Sequence, residues 1–218
     1  MSTSEVTVAE LPAVLPVFPL DGVLLPPRGI LPLNIFEPRY LNMIDDALAA
    51  DRIIGIVQSV AGGDRARPRL MAVGGAGRIT SFAETQDGRY LITLTGLCRF
   101  RLGDELQLQT PYRQVRADFS VFAADLQEPS EDEVDRQPLV EVLKRYLGGR
   151  DMELDWSAAL AAPTEMLINS LAMALPFEPG EKQALLEAVD LEDRLRVLTA
   201  LLAIHGAGED GDSGARMQ

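Results

Sequence analysis

The chain has 218 residues, 47% hydrophobic and 24% charged, with a formal net charge of −13. That apolar content suffices for one large domain or two small ones and excludes a wholly disordered chain. The acidity disfavours nucleic acid, whose phosphates are held by Lys and Arg with release of counterions. A single cysteine, Cys98, excludes an intrachain disulfide and a multi-cysteine zinc cluster. With neither a basic leader before an apolar stretch nor a run of ~18 apolar residues, the expectation is a cytoplasmic protein without a membrane span.

Residues 1–12 read as a flexible arm. From Leu15 to Tyr40 short apolar runs alternate with prolines at 16, 19, 26, 27, 32 and 38. Proline lacks an N–H, so these runs predict edge-type strands near 14–20 and 30–36, joined by a turn at Pro26–Gly29. Pro38 suits the first position of a helix, and Leu41, Ile44, Ala47 and Leu48 then share one face. Arg52–Val57 is a short apolar run, consistent with a strand buried on both sides. Gly74–Arg78 (GGAGR) lacks the Lys-Ser/Thr ending of a phosphate loop and precedes a strand, so it reads as a turn or bulge.

Asp87-Gly88 marks a hairpin turn. The return strand turns Ile92, Leu94, Cys98, Phe100 and Leu102 inward and Thr93, Thr95, Arg99 and Arg101 to the wet side. A last strand over Tyr112–Phe122 places Val115, Ala117, Phe119 and Val121 inward. The run 124–135 is acidic, contains a proline and reads as a linker. Helical spacing is present at Leu139, Val142, Leu143 and Tyr146, over Thr164–Leu175, from Pro179 to about Ala188, and again after Asp190, whose pairing with Asp193 resembles a capping box. The expected layout is α+β: a β-rich half over 13–123, a helical half over 136–205, and a disordered tail over 206–218.

Three segments carry a resemblance. The opening Leu15-Pro-Val-Phe-Pro-Leu with Ile35-Phe-Glu-Pro-Arg-Tyr40, the middle Met71–Ile79 with Leu91–Arg101, and the late Glu181–Glu187 with Asp193–Leu195 together resemble the N-terminal substrate-binding domain of Lon proteases. The resemblance spans about 13–203. It implies a PUA-like pseudo-β-barrel with one helix, followed by an α-helical bundle, and a role in recognising polypeptide.

No catalytic set can be assembled. Lys144 and Lys182 fall on predicted helix surfaces, whereas a Ser–Lys dyad needs a lysine buried enough to lose its proton. His205 sits at an expected helix C-terminus, where a dipole contact accounts for it. Cys98 points inward, as a small hydrophobe does. No metal ligand set and no cofactor are expected. The arginines at 65, 67, 69, 99 and 101 read as solubilising charges.

The most distinctive string, Ile35–Tyr40, reads as a strand-to-helix corner with Phe36 packed in and Glu37 or Arg39 tying the loop. Its functional reading is an exposed apolar patch formed by Leu24, Leu25, Pro26, Phe36, Arg39 and Tyr40 that binds unfolded or damaged polypeptide, or a dedicated protein partner. The expected function is thus a non-catalytic binding module, an accessory in protein quality control. The alternative is a PUA-like module for a small molecule or RNA.

Overall fold

The computed structural model describes residues 7–60, 67–127, 134–148, 150 and 154–210. The expectations for residues 1–6, for 128–133 of the acidic linker and for the tail beyond 210 lie outside the described residues. The chain divides into two compact units, one of Met1–Glu128 with Phe177–Leu186, the other of Pro129–Pro176 with Glu187–Gln218.

The first unit contains β1 (Val14–Pro19), β2 (Ile30–Ile35), α1 (Pro38–Ala49), β3 (Ile53–Val57), β4 (Val73–Glu84), β5 (Tyr90–Glu105) and β6 (Arg113–Asp118). The sheet order is β2-β5-β4-β3-β1-β6, and β5 also pairs with β6. Five strands therefore close into a ring, and β2 hangs from it. The length of β5 makes this possible: its residues 90–95 carry β2, and 101–105 carry β6. Residues 7–12 include a short 3-10 turn in which the Thr7 backbone N–H donates to Glu10 at 2.7 Å.

Of the expected edge strands, β2 is one and β1 is not. β1 lies between β3, which runs parallel to it, and antiparallel β6. Pro16 is tolerated there because pairing with β3 begins only at Val17, so one side of the strand has no ladder at the proline. β3 is buried along its whole length, as its sequence implies. α1 starts at Pro38 and presses Tyr40, Met43, Ile44 and Ala47 onto the sheet. The β4–β5 turn is wider than a two-residue turn: the Thr85 N–H donates to the Arg89 carbonyl at 2.9 Å, and only Gly88 has positive φ, at 76°. β6 ends at Asp118, and a 3-10 turn over Ser120–Leu126 then exposes Val121 and buries Phe122.

The glycine run 74–77 lies inside β4, with a register shift between Ala76 and Gly77. The segment 24–27 crosses it at backbone contact. A Cβ on Gly75 would fall 1.9 Å from the Leu25 carbonyl oxygen, and one on Gly96 of β5 would fall 2.0 Å from that of Pro26. The Arg28 N–H donates to the Gly96 carbonyl at 2.8 Å, and Gly96 donates to Gly29 at 2.8 Å. Side chains here would push the crossing segment off the sheet.

Arg99, expected on the wet side of β5, is buried. Its guanidinium takes both carboxylate oxygens of Asp125 at 2.9 and 2.8 Å, its own N–H reaches Asp125 at 2.9 Å, and it donates to the Leu186 carbonyl at 3.0 Å. Leu186 lies on α5 (Pro179–Glu187), which belongs to the first unit through Leu186. Gln183 of α5 donates to the Val73 carbonyl at 3.0 Å and accepts from Gln58 at 3.0 Å. Lys182, expected at a helix surface, is buried too, and burial lowers its ammonium pKa.

The second unit holds α2 (Gln137–Gly148), α3 (Trp156–Ala161), α4 (Thr164–Ala174) and α6 (Leu191–Asp210), with α2 and α4 both packed on α6. α3 is capped by Asp155, whose carboxylate accepts from the Ala158 N–H at 3.0 Å. Asp190 caps α6, accepting from Asp193 N–H at 2.8 Å. α6 continues through Gly206, so His205 is inside the helix, and its carbonyl accepts from Arg150 at 3.1 Å.

Two glycine substitutions separate steric contact from conformation. Gly75→Ala is expected to cost more than about 2 kcal/mol, because backbone must move. Gly88→Ala, with open space around it, is expected to cost about 1 kcal/mol from its positive φ alone. Urea unfolding midpoints at unchanged slope measure both.

Candidate functional site

Leu24, Leu25 and Pro26 do not form a surface patch. Leu25 is 1% exposed, and Leu24 and Pro26 are buried with it. The glycine floor draws the segment down and leaves Leu25 in the barrel core beside Ile79 and Leu94.

The strand–helix corner behaves differently. Along β2, Leu31, Leu33 and Ile35 turn inward while Ile30, Pro32 and Asn34 turn out, and Phe36 continues the outward register. Ile35 fills the core at this corner. Phe36, expected to pack in, is 62% exposed, and Ile30 is 64% exposed. Across the ladder Asn34 pairs with Leu91, which pairs in turn with Ala83 of β4. Leu91 is 45% exposed. The outer face of the β2–β5 ladder therefore carries Ile30, Pro32, Phe36 and Leu91 in water. An exposed apolar set of this kind on a hydrated domain marks a contact surface.

Arg39 and Tyr40 border a cavity of about 170 Å³ in the same unit. Its other walls are the rings of Pro19, Pro68, Pro111 and Tyr112, with Ser59 and Arg113. Tyr40 is fixed by Phe18, ring centroids 4.1 Å apart, and by the Arg39 guanidinium 4.5 Å above its ring. Arg39 also pairs with Glu37 at 2.8 Å. Arg113 grips Glu105 through both oxygens at 3.0 and 2.6 Å and donates to the Pro68 carbonyl at 2.7 Å; Arg67 reaches the same Glu105 at 2.6 Å. The two guanidiniums, Arg113 foremost, hold the Glu105 carboxyl below its ordinary range. The Tyr112 hydroxyl donates to Asp46 of α1 at 2.6 Å. Burial, helped by that carboxylate, pushes the Tyr112 phenol up to about 12.

No other expected reactive group adds chemistry. Cys98 is buried, with the carbonyls of Arg99 and Phe122 at 3.1 and 3.2 Å, and burial raises its thiol to about 12. Among the described residues no group of three or more His, Cys, Asp or Glu side chains is placed to hold a metal. No helix among them is long and apolar enough to cross a membrane. Arg99 is internal and Arg67 is paired, so they do not form a continuous basic surface with Arg69 and Arg101.

Of the residues singled out in the sequence, Phe36 lies on the exposed face and Arg39 and Tyr40 line the cavity. Sequence reasoning missed Leu91, although the alternation that turned Ile92 and Leu94 inward also turns Leu91 out. It missed Ser59, Pro68, Pro111, Tyr112 and Arg113 because only the tertiary fold gathers them.

Known proteins share this fold. The family model described as the ATP-dependent protease La (LON) substrate-binding domain matches residues 14–203. "Lon protease 2" of Myxococcus xanthus is 30% identical over 204 residues, covering 88% of this chain and 24% of that protein. "Lon protease" of Anaeromyxobacter dehalogenans is 28% identical over 204 residues, covering 88% and 23%. The chain thus spans about a quarter of the length of the curated relatives it matches. A crystal structure of a Lon N-terminal domain protein from Xanthomonas campestris superposes with TM-score 0.62 at 28% identity, over 86% of this chain and 97% of that one. The N-terminal domain of a Mycobacterium avium complex Lon protease, 18% identical over 88% of this chain and 99% of that one, superposes with TM-score 0.56 and shares the fold.

The Tyr112 shift has a measurable sign. Because the folded phenol titrates near 12, above its unfolded value of about 10, its contribution is complete below pH about 10. It is lost as pH rises toward 12. Tyr112→Phe is expected to flatten that alkaline limb of the stability curve, read by urea unfolding across the window. Cys98 is expected to resist a thiol reagent at pH near 8 in native protein and to react on unfolding.

Proposed function

Because the chain belongs to the ATP-dependent protease La (LON) substrate-binding domain family, we propose that it is a non-catalytic module that recognises unfolded or damaged polypeptide. The observation that carries this reading is the apolar outer face of the β2–β5 ladder, with Ile30, Phe36 and Leu91 exposed together. Folded proteins hide such side chains, and unfolded chains present them. Each one removed from water gains about 1.5–3 kcal/mol, against which stand the costs of ordering both partners. A few such contacts give weak, sequence-tolerant binding, which suits a receptor of many clients.

In this reading the module works in the cytoplasm as an accessory of protein quality control. A dedicated protein partner would use the same face. The cavity beside Arg39, about 170 Å³, is itself smaller than the ~300 Å³ of drug-sized sites. An RNA role has less support, because among the described residues Arg99 is buried and Arg67 is paired with Glu105.

Fluorescence anisotropy of a labelled, permanently unfolded polypeptide, without nucleotide and against a folded control, tests the reading. Saturable micromolar binding (about −8 kcal/mol) is expected for the unfolded chain only. Phe36→Ser and Ile30→Ser should each weaken it several-fold while stability stays within about 0.5 kcal/mol, as is usual for surface positions. Absence of binding up to the solubility limit overturns the proposal.

A further inference from the structure

The cavity beside Arg39 has an unused polar group. Tyr40 is 6% exposed, and its hydroxyl has no hydrogen-bond partner among the described residues. No buried side-chain oxygen or nitrogen among them lacks a partner, so this hydroxyl is open to the cavity that Tyr40 lines. Ser59 adds a second hydroxyl to the wall. Two guanidiniums, Arg39 and Arg113, face the same space. Arg113 shares the single Glu105 carboxylate with Arg67, so that trio keeps a net positive charge. Among the described residues the ion-pair partner of Arg39 is Glu37, in a pair whose side chains are 49% and 44% exposed, and its guanidinium also lies over the Tyr40 ring. A pair so exposed is weak and is readily exchanged for a better-placed anion. The rest of the wall is apolar: proline rings and tyrosine faces.

An occupant must therefore bring an anion and an apolar group close together, within the volume of about one residue. An acidic side chain brings a carboxylate on one or two methylenes and leaves the rings uncovered. A chain terminus brings both groups on a single Cα and needs no exit for further backbone. We propose that this cavity receives the C-terminal residue of a polypeptide, its free carboxylate held by the Tyr40 hydroxyl and the Arg39 guanidinium, its side chain against the proline and tyrosine rings. Charge-assisted hydrogen bonds of this kind are the strong ones. The inference rests on the polypeptide-recognition reading and names the subsite that orients the bound chain.

One unstructured apolar peptide ending in leucine, labelled at its N-terminus, is prepared as free acid, as C-terminal amide, and as amide with a glutamate replacing an internal residue. Anisotropy with the full chain is expected to show the free acid binding about tenfold more tightly than either amide. Tyr40→Phe and Arg39→Gln should each remove most of that preference and leave amide affinity unchanged, with thermal unfolding as the control for folding. Equal binding of acid and amide overturns the terminus subsite and leaves polypeptide recognition standing. Equal binding of the free acid and the glutamate peptide shows that any carboxylate serves and overturns it too. Failure of all three peptides to bind overturns both readings.

Discussion

Arg99 and Asp125 meet inside the first unit as a buried, two-point ion pair. Taking two charges out of water costs several kcal/mol per ion, and their attraction repays this only when geometry and further hydrogen bonds are complete. The geometry here is complete: a two-point guanidinium–carboxylate contact, the Arg99 N–H on the same carboxylate, the Leu186 carbonyl, and the Phe122 ring 4.5 Å from the cation. The Arg28 guanidinium donates to the Asp125 carbonyl at 2.7 Å. The buried Arg99–Asp125 pair, with the Asp125 backbone carbonyl, thus ties β5, the segment after β6, the approach to β2 and α5 into a single arrangement. Loss of either partner would strand a charge, which costs about 3–5 kcal/mol in comparable sites.

Much of this fold is legible in the sequence. The proline at the first turn of α1, the buried run of β3, the β4–β5 hairpin and the helices after residue 136 all obey local rules. The illegible part is long-range. Arg99 stands in a strand whose alternation puts it on the wet side, and Asp125 stands in an acidic run. Each has an ordinary local explanation, and only their meeting shows that neither is solvated. The glycines of β4 behave the same way. Locally they are a breaker; in the fold they are a floor on which another backbone lies. Val121 fails for a local reason, since β6 stops at Asp118 and the 3-10 turn over Ser120–Leu126 breaks the strand alternation.

The candidate site divides along the same line. Phe36, Arg39 and Tyr40 are readable because one corner carries them. Leu24, Leu25 and Pro26 share their local signature, apolar residues between prolines, which looks exposed; the glycine floor is what buries them. The cavity draws on β1, α1, β3's far end, the segment around Pro68 and the start of β6. No spacing rule connects those positions. The surface stripe is a property of register, and it becomes readable only when β2 is paired with β5 and not with β1.

The return of α5 to the first unit sets an order of events during synthesis. Every strand of the ring has been made by Asp118, yet the carbonyl that accepts from Arg99 arrives only with Leu186, and the amide that covers the Val73 carbonyl arrives with Gln183. A chain emerging from the ribosome therefore holds a ring whose buried cation lacks one of its acceptors until nearly all of α5 has been added. The intervening helices of the second unit must be synthesised, though not packed, before the first can be finished. The same interleaving means that no single cut in the chain separates the residues of the first unit from those of the second.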